Sequence, residues 1–293
     1  MCGPPSRSRP SWTSSTEPAR PPGPGPGPRP RPQISAVTVV QDVVDAVGRR
    51  TRPEKAAAWD PVGLQLGDRE APVSRVAVCH EVTEDVVDAL EASPVDLLVA
   101  YHPLLFAPVN RVLAGRSAEA RAYRLIRLGV NLLVAHTDFD AAPGGAADAL
   151  AASLGLSDVE PFGGDPDEGL ADIGRVGGFA APLADLEAQV SGLFGGAGLR
   201  VSGDRAAHID RVAVVPGAGA SLIEAAAGVA QALVTGDAPH HRMVRARDLG
   251  LAVVDPGHTQ TERPGIAALL QLVTECCDVA VVDLTGLDPS AWG

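Results

Sequence analysis

Residues 130–145 read Val-Asn-Leu-Leu-Val-Ala-His-Thr-Asp-Phe-Asp-Ala-Ala-Pro-Gly-Gly, an apolar run that ends in polar chemistry. Five of the first six side chains are apolar, the pattern of a strand covered on both faces, as in a parallel sheet. The loop after it carries His136, Asp138 and Asp140. Two other predicted strands end similarly, one in Tyr101-His102-Pro103 and one just before His258 and Glu262. Open α/β sheets place ligands at the carboxyl ends of their strands, where loops vary freely and helix N-termini turn N–H groups outward. The three strand ends are therefore expected to converge on one metal site.

Outward from this stretch, strands alternate with helices. Val37, Val40, Val43, Val44 and Val47 have helical spacing, with Ser35 as a cap. Trp59–Asp68 predicts a turn, a short strand and a second turn, and strands are predicted at 75–79 and 95–100. Thr83 and the acids after it open one helix; residues 117–128 form another. In the second half, strands are predicted at 175–179, 211–215, 232–235 and 251–254. Helices are predicted at 183–194 and 221–230, then one containing His241 and one ending near Cys277. Residues 279–283 add a last strand. The class is α/β, in two halves of about 36–155 and 156–293. Residues 1–33, with five arginines, one glutamate and the run Pro-Gly-Pro-Gly-Pro-Gly-Pro, are expected to be a disordered tail.

Bulk composition excludes some functions. A net charge of -12 with a single lysine, Lys55, argues against a nucleic-acid or anionic-membrane surface, since either needs a basic patch. No stretch is apolar for long enough to span a membrane, and the N-terminus lacks a secretory apolar core. A cytoplasmic protein is expected. Cys2, Cys79, Cys276 and Cys277 have no C-x-x-C spacing and are expected to be reduced thiols, the last three buried.

Imidazoles with carboxylates, and no nearby thiolate, suit zinc, manganese, iron, cobalt or nickel, and two carboxylates permit bridging of a two-metal centre. Each residue also has a structural reading. His102 could bond backbone in its turn, while His136 and Asp138 could orient their loop. Glu262 could simply favour the first turn of a helix capped by Thr261. Gly217-Ala218-Gly219 lacks the third glycine of a dinucleotide fingerprint and the lysine of a P-loop, so a tight strand-to-helix turn is expected. Of His240 and His241, adjacent and divergent, one at most can face a site. His80 and His208 have no partner at recognisable spacing and are read as structural.

Five motifs in order resemble the Nif-three-like family of dinuclear-metal hexameric proteins, the GTP cyclohydrolase 1 type 2 homologues. They are Trp59–Asp68, Tyr101–Phe106, His136–Gly145, Thr235–Asp237 with His241, and Gly257–Glu262. The resemblance covers residues 36–283. It implies two α/β lobes around a metal cleft, a homo-hexamer and one or two divalent ions per chain. On its motifs His102, Asp140, His258 and Glu262 fall on ligand positions, and His136, Thr137 and His241 line the cleft, the two histidines as candidates for proton transfer. Tyr101 departs from it, standing where the family has the first histidine of His-His-Pro. A neutral phenol is a poor ligand, so one ion is expected to be weakly held or absent. Asp138 also departs, replacing the usual Asn. The implied activity is metal-dependent hydrolysis of a nucleotide or phosphorylated small molecule. The alternative is a non-catalytic metal-binding or assembly protein.

Overall fold

A computed structural model describes Gly3, residues 39–164 and residues 172–287. Apart from Gly3, the expected tail lies outside the described residues, as does Ser35; the first helix starts at Val40, and Val39 rather than Ser35 holds its N-cap position. The chain runs through α1 (Val40–Thr51), β1 (Gly63–Leu66), β2 (Arg75–Cys79), α2 (Glu84–Ala92), β3 (Leu97–Ala100) and α3 (Ala118–Leu128). There follow β4 (Asn131–Val134), α4 (Thr137–Ala141), α5 (Ala146–Ser153), β5 (Ser157–Phe162), β6 (Gly174–Pro182) and α6 (Leu183–Phe194). Then come β7 (Arg200–Ser202), β8 (His208–Val214), α7 (Ile223–Ala227), β9 (Ala232–Val234) and α8 (His240–Asp248). The chain ends through β10 (Ala252–Asp255), α9 (His258–Cys276) and β11 (Ala280–Asp283).

The strands form a five-stranded sheet, β1-β4-β3-β2-β11, and a six-stranded sheet, β5-β6-β8-β9-β10-β7. In the first, β4, β3, β2 and β11 run parallel and β1 is the antiparallel edge. In the second, β8, β9 and β10 are parallel and the outer strands antiparallel. Alternation along each strand sends side chains to two cores. Val76, Val78, Leu97, Val99 and Leu133 face α1 and α9, whereas Ala77, Cys79, Leu98, Ala100, Leu132 and Val134 face α2 and α3. The second sheet divides likewise, with Val212, Val214, Val234 and Val254 on one face and Ala213, Leu233 and Val253 on the other. This two-sided burial is why the parallel strands read as unbroken apolar runs. Among the described residues no helix is long and apolar enough to cross a membrane.

The expected cap forms at Thr83, whose Oγ1 accepts from Val86 N–H at 3.2 Å, and Ser117 Oγ likewise accepts from Ala120 N–H at 3.3 Å at the start of α3. Four readings need correction. Residues 137–141 form a short helix rather than a loop, and the helix expected at 221–230 shrinks to a 3₁₀ turn and α7. Cys276 is only half-buried, although Cys79 and Cys277 are buried. The last strand does not stay with the C-terminal half. After α9, whose 19 residues carry the chain about 28 Å, β11 pairs with β2 and completes the first sheet.

Arg175, only 3% exposed, holds the two halves in register. From β6 its guanidinium pairs with Asp148 on α5 and donates to the carbonyls of Ala141 and Ala142 at 3.1 and 3.2 Å. Those carbonyls end α4, so the clasp fixes the turn that presents Asp140. Arg175→Met should lower unfolding stability by roughly 1–3 kcal/mol, because the buried carbonyls of Ala141 and Ala142 lose a charged donor while the partly exposed Asp148 is resolvated. Urea denaturation of the variant against wild type measures it.

Candidate metal centre

Parallel pairing of β2 and β3 sets Cys79 opposite Ala100, and the ladder runs one step further, where His102 N–H donates to the His80 carbonyl at 3.0 Å. Neighbouring strands lie about 4.8 Å apart. The imidazoles leaving those strand ends accordingly stack with centroids 4.9 Å apart. Across the cleft, His258 opens α9 and Glu262 follows one turn later on the same helix face. The Glu262 carboxylate, 3% exposed, gives each oxygen a different duty. Its Oε1 meets His258 Nε2 at 3.0 Å, and its Oε2 meets His80 Nε2 at 2.7 Å and His102 Nε2 at 3.2 Å.

An ionised carboxylate only accepts, so each nitrogen facing Glu262 carries a hydrogen. Asp237 Oδ2 takes the second nitrogen of His258, Nδ1, at 2.9 Å. The hydrogen bond to Glu262, aided by Asp237, pushes the His258 pKa up to about 9. Burial acts to raise the Glu262 carboxyl, but hydrogen bonds from His102, His258 and His80 outweigh it and hold its pKa well below the usual range. The cluster is thus a set of Nε2 atoms held around one carboxylate by protons. With those protons removed, three lone pairs and a carboxylate face one small volume, and the donors of His80, His102 and Glu262 already lie within 4.8 Å of one another. Neutral imidazoles with a carboxylate fit a divalent ion of the zinc-to-manganese group. Asp237 on His258 Nδ1 fixes the orientation of that ring, as outer carboxylates do for metal-binding histidines.

The glycine turn after β8 forms a wall of this centre. Gly217 has φ +62°, and a Cβ there would stand 2.6 Å from Glu262 Oε1 and 3.2 Å from His258 Nε2. Its N–H donates to Thr261 Oγ1 at 2.9 Å, and that hydroxyl donates to the His258 carbonyl at 2.7 Å. Thr261 therefore braces the first turn of α9 from inside; it does not cap the helix.

Tyr101 and Asp140 lie beside this cluster and bond each other. The buried Tyr101 hydroxyl donates to Asp140 Oδ1 at 2.5 Å, its ring 5.0 Å from that of His102. Burial, then the charges of Asp140 and Glu262, hold the phenol well above its ordinary pKa. Burial likewise pushes Asp140 up to about 7, against the pull of His136. His136 stands 5.2 Å from His102 and 5.3 Å from Tyr101, ring to ring. Its Nδ1 meets Asp60 Oδ2 at 3.0 Å, and the same oxygen accepts from Thr137 N–H and Oγ1–H at 3.0 and 2.5 Å. Asp138 accepts the His136 N–H at 2.8 Å and so orients the turn.

Of the residues singled out from sequence, His102, His258 and Glu262 meet directly, while Tyr101, Asp140, His136 and Thr137 pack alongside. His241 does not join them. It is exposed on the first turn of α8, and the preceding loop sends Asp237 to the centre instead. His208 pairs with Asp210 at 3.3 Å and stays structural. His80 is corrected: it belongs to the cluster. Asp60 went unnoticed, the only signal being an acid in the Trp59–Asp68 motif.

The sequence profile of the DUF34/NIF3 family (NGG1p interacting factor 3) matches residues 38–286. The chain belongs to this family. A GTP cyclohydrolase 1 type 2 homolog from Streptomyces coelicolor is 36% identical over 234 residues, which cover 77% of this chain and 82% of that relative. A solved Bacillus cereus protein related to NIF3 superposes with a TM-score of 0.77 at 22% identity, over 87% of this chain and 99% of its own. Reduced HcgD from Methanocaldococcus jannaschii gives 0.72 at 25% identity, over 84% and 97%. These structural likenesses establish the DUF34/NIF3 fold.

Gly217→Ala tests the wall of the centre. A methyl group at this φ costs about 1 kcal/mol of stability, and the crowding of Glu262 and His258 should weaken Zn(II) binding about tenfold or more, the scale seen when a ligand's orientation is disturbed. Thermal melts and zinc titration separate the two effects.

Proposed function

We propose that this chain is a divalent-metal-dependent hydrolase of a nucleotide or another phosphorylated small molecule. The carrying observation is Glu262, a buried carboxylate with imidazole Nε2 atoms on both oxygens, at a cavity of about 300 Å³ that His80, His102 and His258 help to line. His102, His258 and Glu262 would hold the ion. A divalent ion supplies, when bound, Lewis acidity and the acidification of water near neutral pH.

The chain's own groups complete the reading. Because Asp60 can only accept, the neutral His136 ring puts its proton on Nδ1, and Nε2 keeps the lone pair. His136 is thereby set up to take a proton through Nε2 and return it, with Asp60 fixing the tautomer. At the rim, Trp59 and Phe106 are 46% and 56% exposed, with ring centroids 5.7 Å apart. Phe106 lines the cavity wall. This pair offers a flat apolar surface to the organic part of a substrate, and the likeness to GTP cyclohydrolase 1 type 2 homologs adds weight to a nucleotide.

A turnover screen with GTP and small phosphoesters, in Mn(II), Zn(II), Co(II) and Fe(II), tests the proposal. His136→Ala should lower kcat by roughly 10²–10⁴-fold, the range for removing a general acid–base group. Trp59→Ala should chiefly raise KM. If no substrate turns over, yet metal removal lowers the melting temperature, the ion has a structural role and the enzyme reading fails.

A further inference from the structure

Resting on the metal-centre reading, we infer that His80 is a metal ligand in this protein and that the centre takes one ion per chain, the neighbouring position being closed by Tyr101 and Asp140.

The first observation is where His80 stands. It follows β2 as His102 follows β3 with one intervening residue, and the two are joined by the backbone hydrogen bond from His102 N–H to the His80 carbonyl. Its ring is 3% exposed, and its Nε2 lies 2.7 Å from Glu262 Oε2, nearer than His102 at 3.2 Å. A histidine merely filling space at a strand end needs no carboxylate from the far side of the cleft. This one shares its carboxylate oxygen with His102, the arrangement expected of two ligands to a common ion.

The second observation divides the acidic and imidazole groups of the cleft into two sets. His80, His102, His258 and Glu262 turn toward one another the atoms that would bind an ion. Tyr101, Asp140, His136 and Asp60 are tied up in pairs, phenol to carboxylate and imidazole to carboxylate. An ion beside Asp140 would have to break the 2.5 Å bond from the Tyr101 hydroxyl, and position 101 would offer it a neutral phenol, a poor donor, in place of an imidazole. Position 101 therefore contributes no imidazole, and position 80 contributes one. The sum is His₃Glu around one ion, with ligands from the strand ends of the first sheet and the first turn of α9.

The test uses full-length protein stripped with a chelator and reloaded with Co(II) alone. Wild type should bind one Co(II) per chain by elemental analysis, and X-ray absorption should show three imidazole ligands. His80→Ala should lose affinity by about 100-fold or more, beyond the 10–100-fold cost of residues that only orient a ligand, and shift the Co(II) visible spectrum. His80→Gln provides a second variant should the alanine protein not fold. Tyr101→His should raise the stoichiometry toward two. Two tightly bound ions in wild type, or two imidazoles in the wild-type absorption spectrum, would overturn the inference. None of these measurements needs a substrate, so absence of turnover overturns the hydrolase reading alone, while absence of metal binding overturns both.

Discussion

Glu262 is a charge buried between two sheets, and the rest of the site is the means by which that burial is tolerated. A carboxylate 3% exposed is strongly disfavoured unless its oxygens are fully paired, since taking an ion out of water costs several kcal/mol even after relaxation. Here hydrogen bonds come from three imidazoles on three separate segments, and the carboxyl stays ionised because they outweigh burial. The same compensation explains why the donors converge. No single segment could surround the carboxylate, so the ends of β2, β3 and α9 must meet, and the architecture exists in the form that lets them.

Two features make that meeting possible. Parallel strands bring their carboxyl ends to one edge of each sheet, so His80, His102 and His136 leave the first sheet on the same side, and Gly217 and Asp237 leave the second. The chain then crosses back, since α9 packs in the core over the first sheet through Ile266, Leu269, Leu272 and Val273, and β11 pairs with β2. His258 and Glu262 are thus held from both sides. Asp255 closes the other end of the arrangement. Its Oδ2 pairs with Arg200 and accepts from Ala238 N–H at 2.9 Å, and its Oδ1 accepts from Gly257 N–H at 2.9 Å. That one side chain ties the loop carrying Asp237 to the turn that starts α9.

How much of this could be read from the sequence followed from the range of each interaction. Strands buried on both faces announce themselves locally, so the parallel strands and the polar residues at their ends were legible, as was the cap at Thr83. Exposed elements were not: none of the three residues of β7 is buried, and five of the six side chains of β5 are exposed, whereas the equally short but buried β9 was legible. Among the site residues, the His258–Glu262 couple was visible because its partners are four apart. His80 was equally visible as a histidine ending a strand, yet its carboxylate lies 182 residues away, and spacing rules carry no signal over that distance. Asp60 was hidden for the same reason, 76 residues from His136.

The position of His80 also shows how neighbouring strand ends can serve one carboxylate. In a parallel sheet, adjacent strand ends are near-equivalent sites roughly 4.8 Å apart, and a histidine side chain is long enough to cover that interval. Imidazoles at the ends of β3 and β2 reach the same oxygen of Glu262, because both strands present their ends to that carboxylate. At position 101 the buried carboxylate of Asp140 needs a donor, and a phenol meets that need where an aliphatic side chain would leave the acid unpaired. The tyrosine thus satisfies Asp140, and His80 is one of three imidazoles around Glu262.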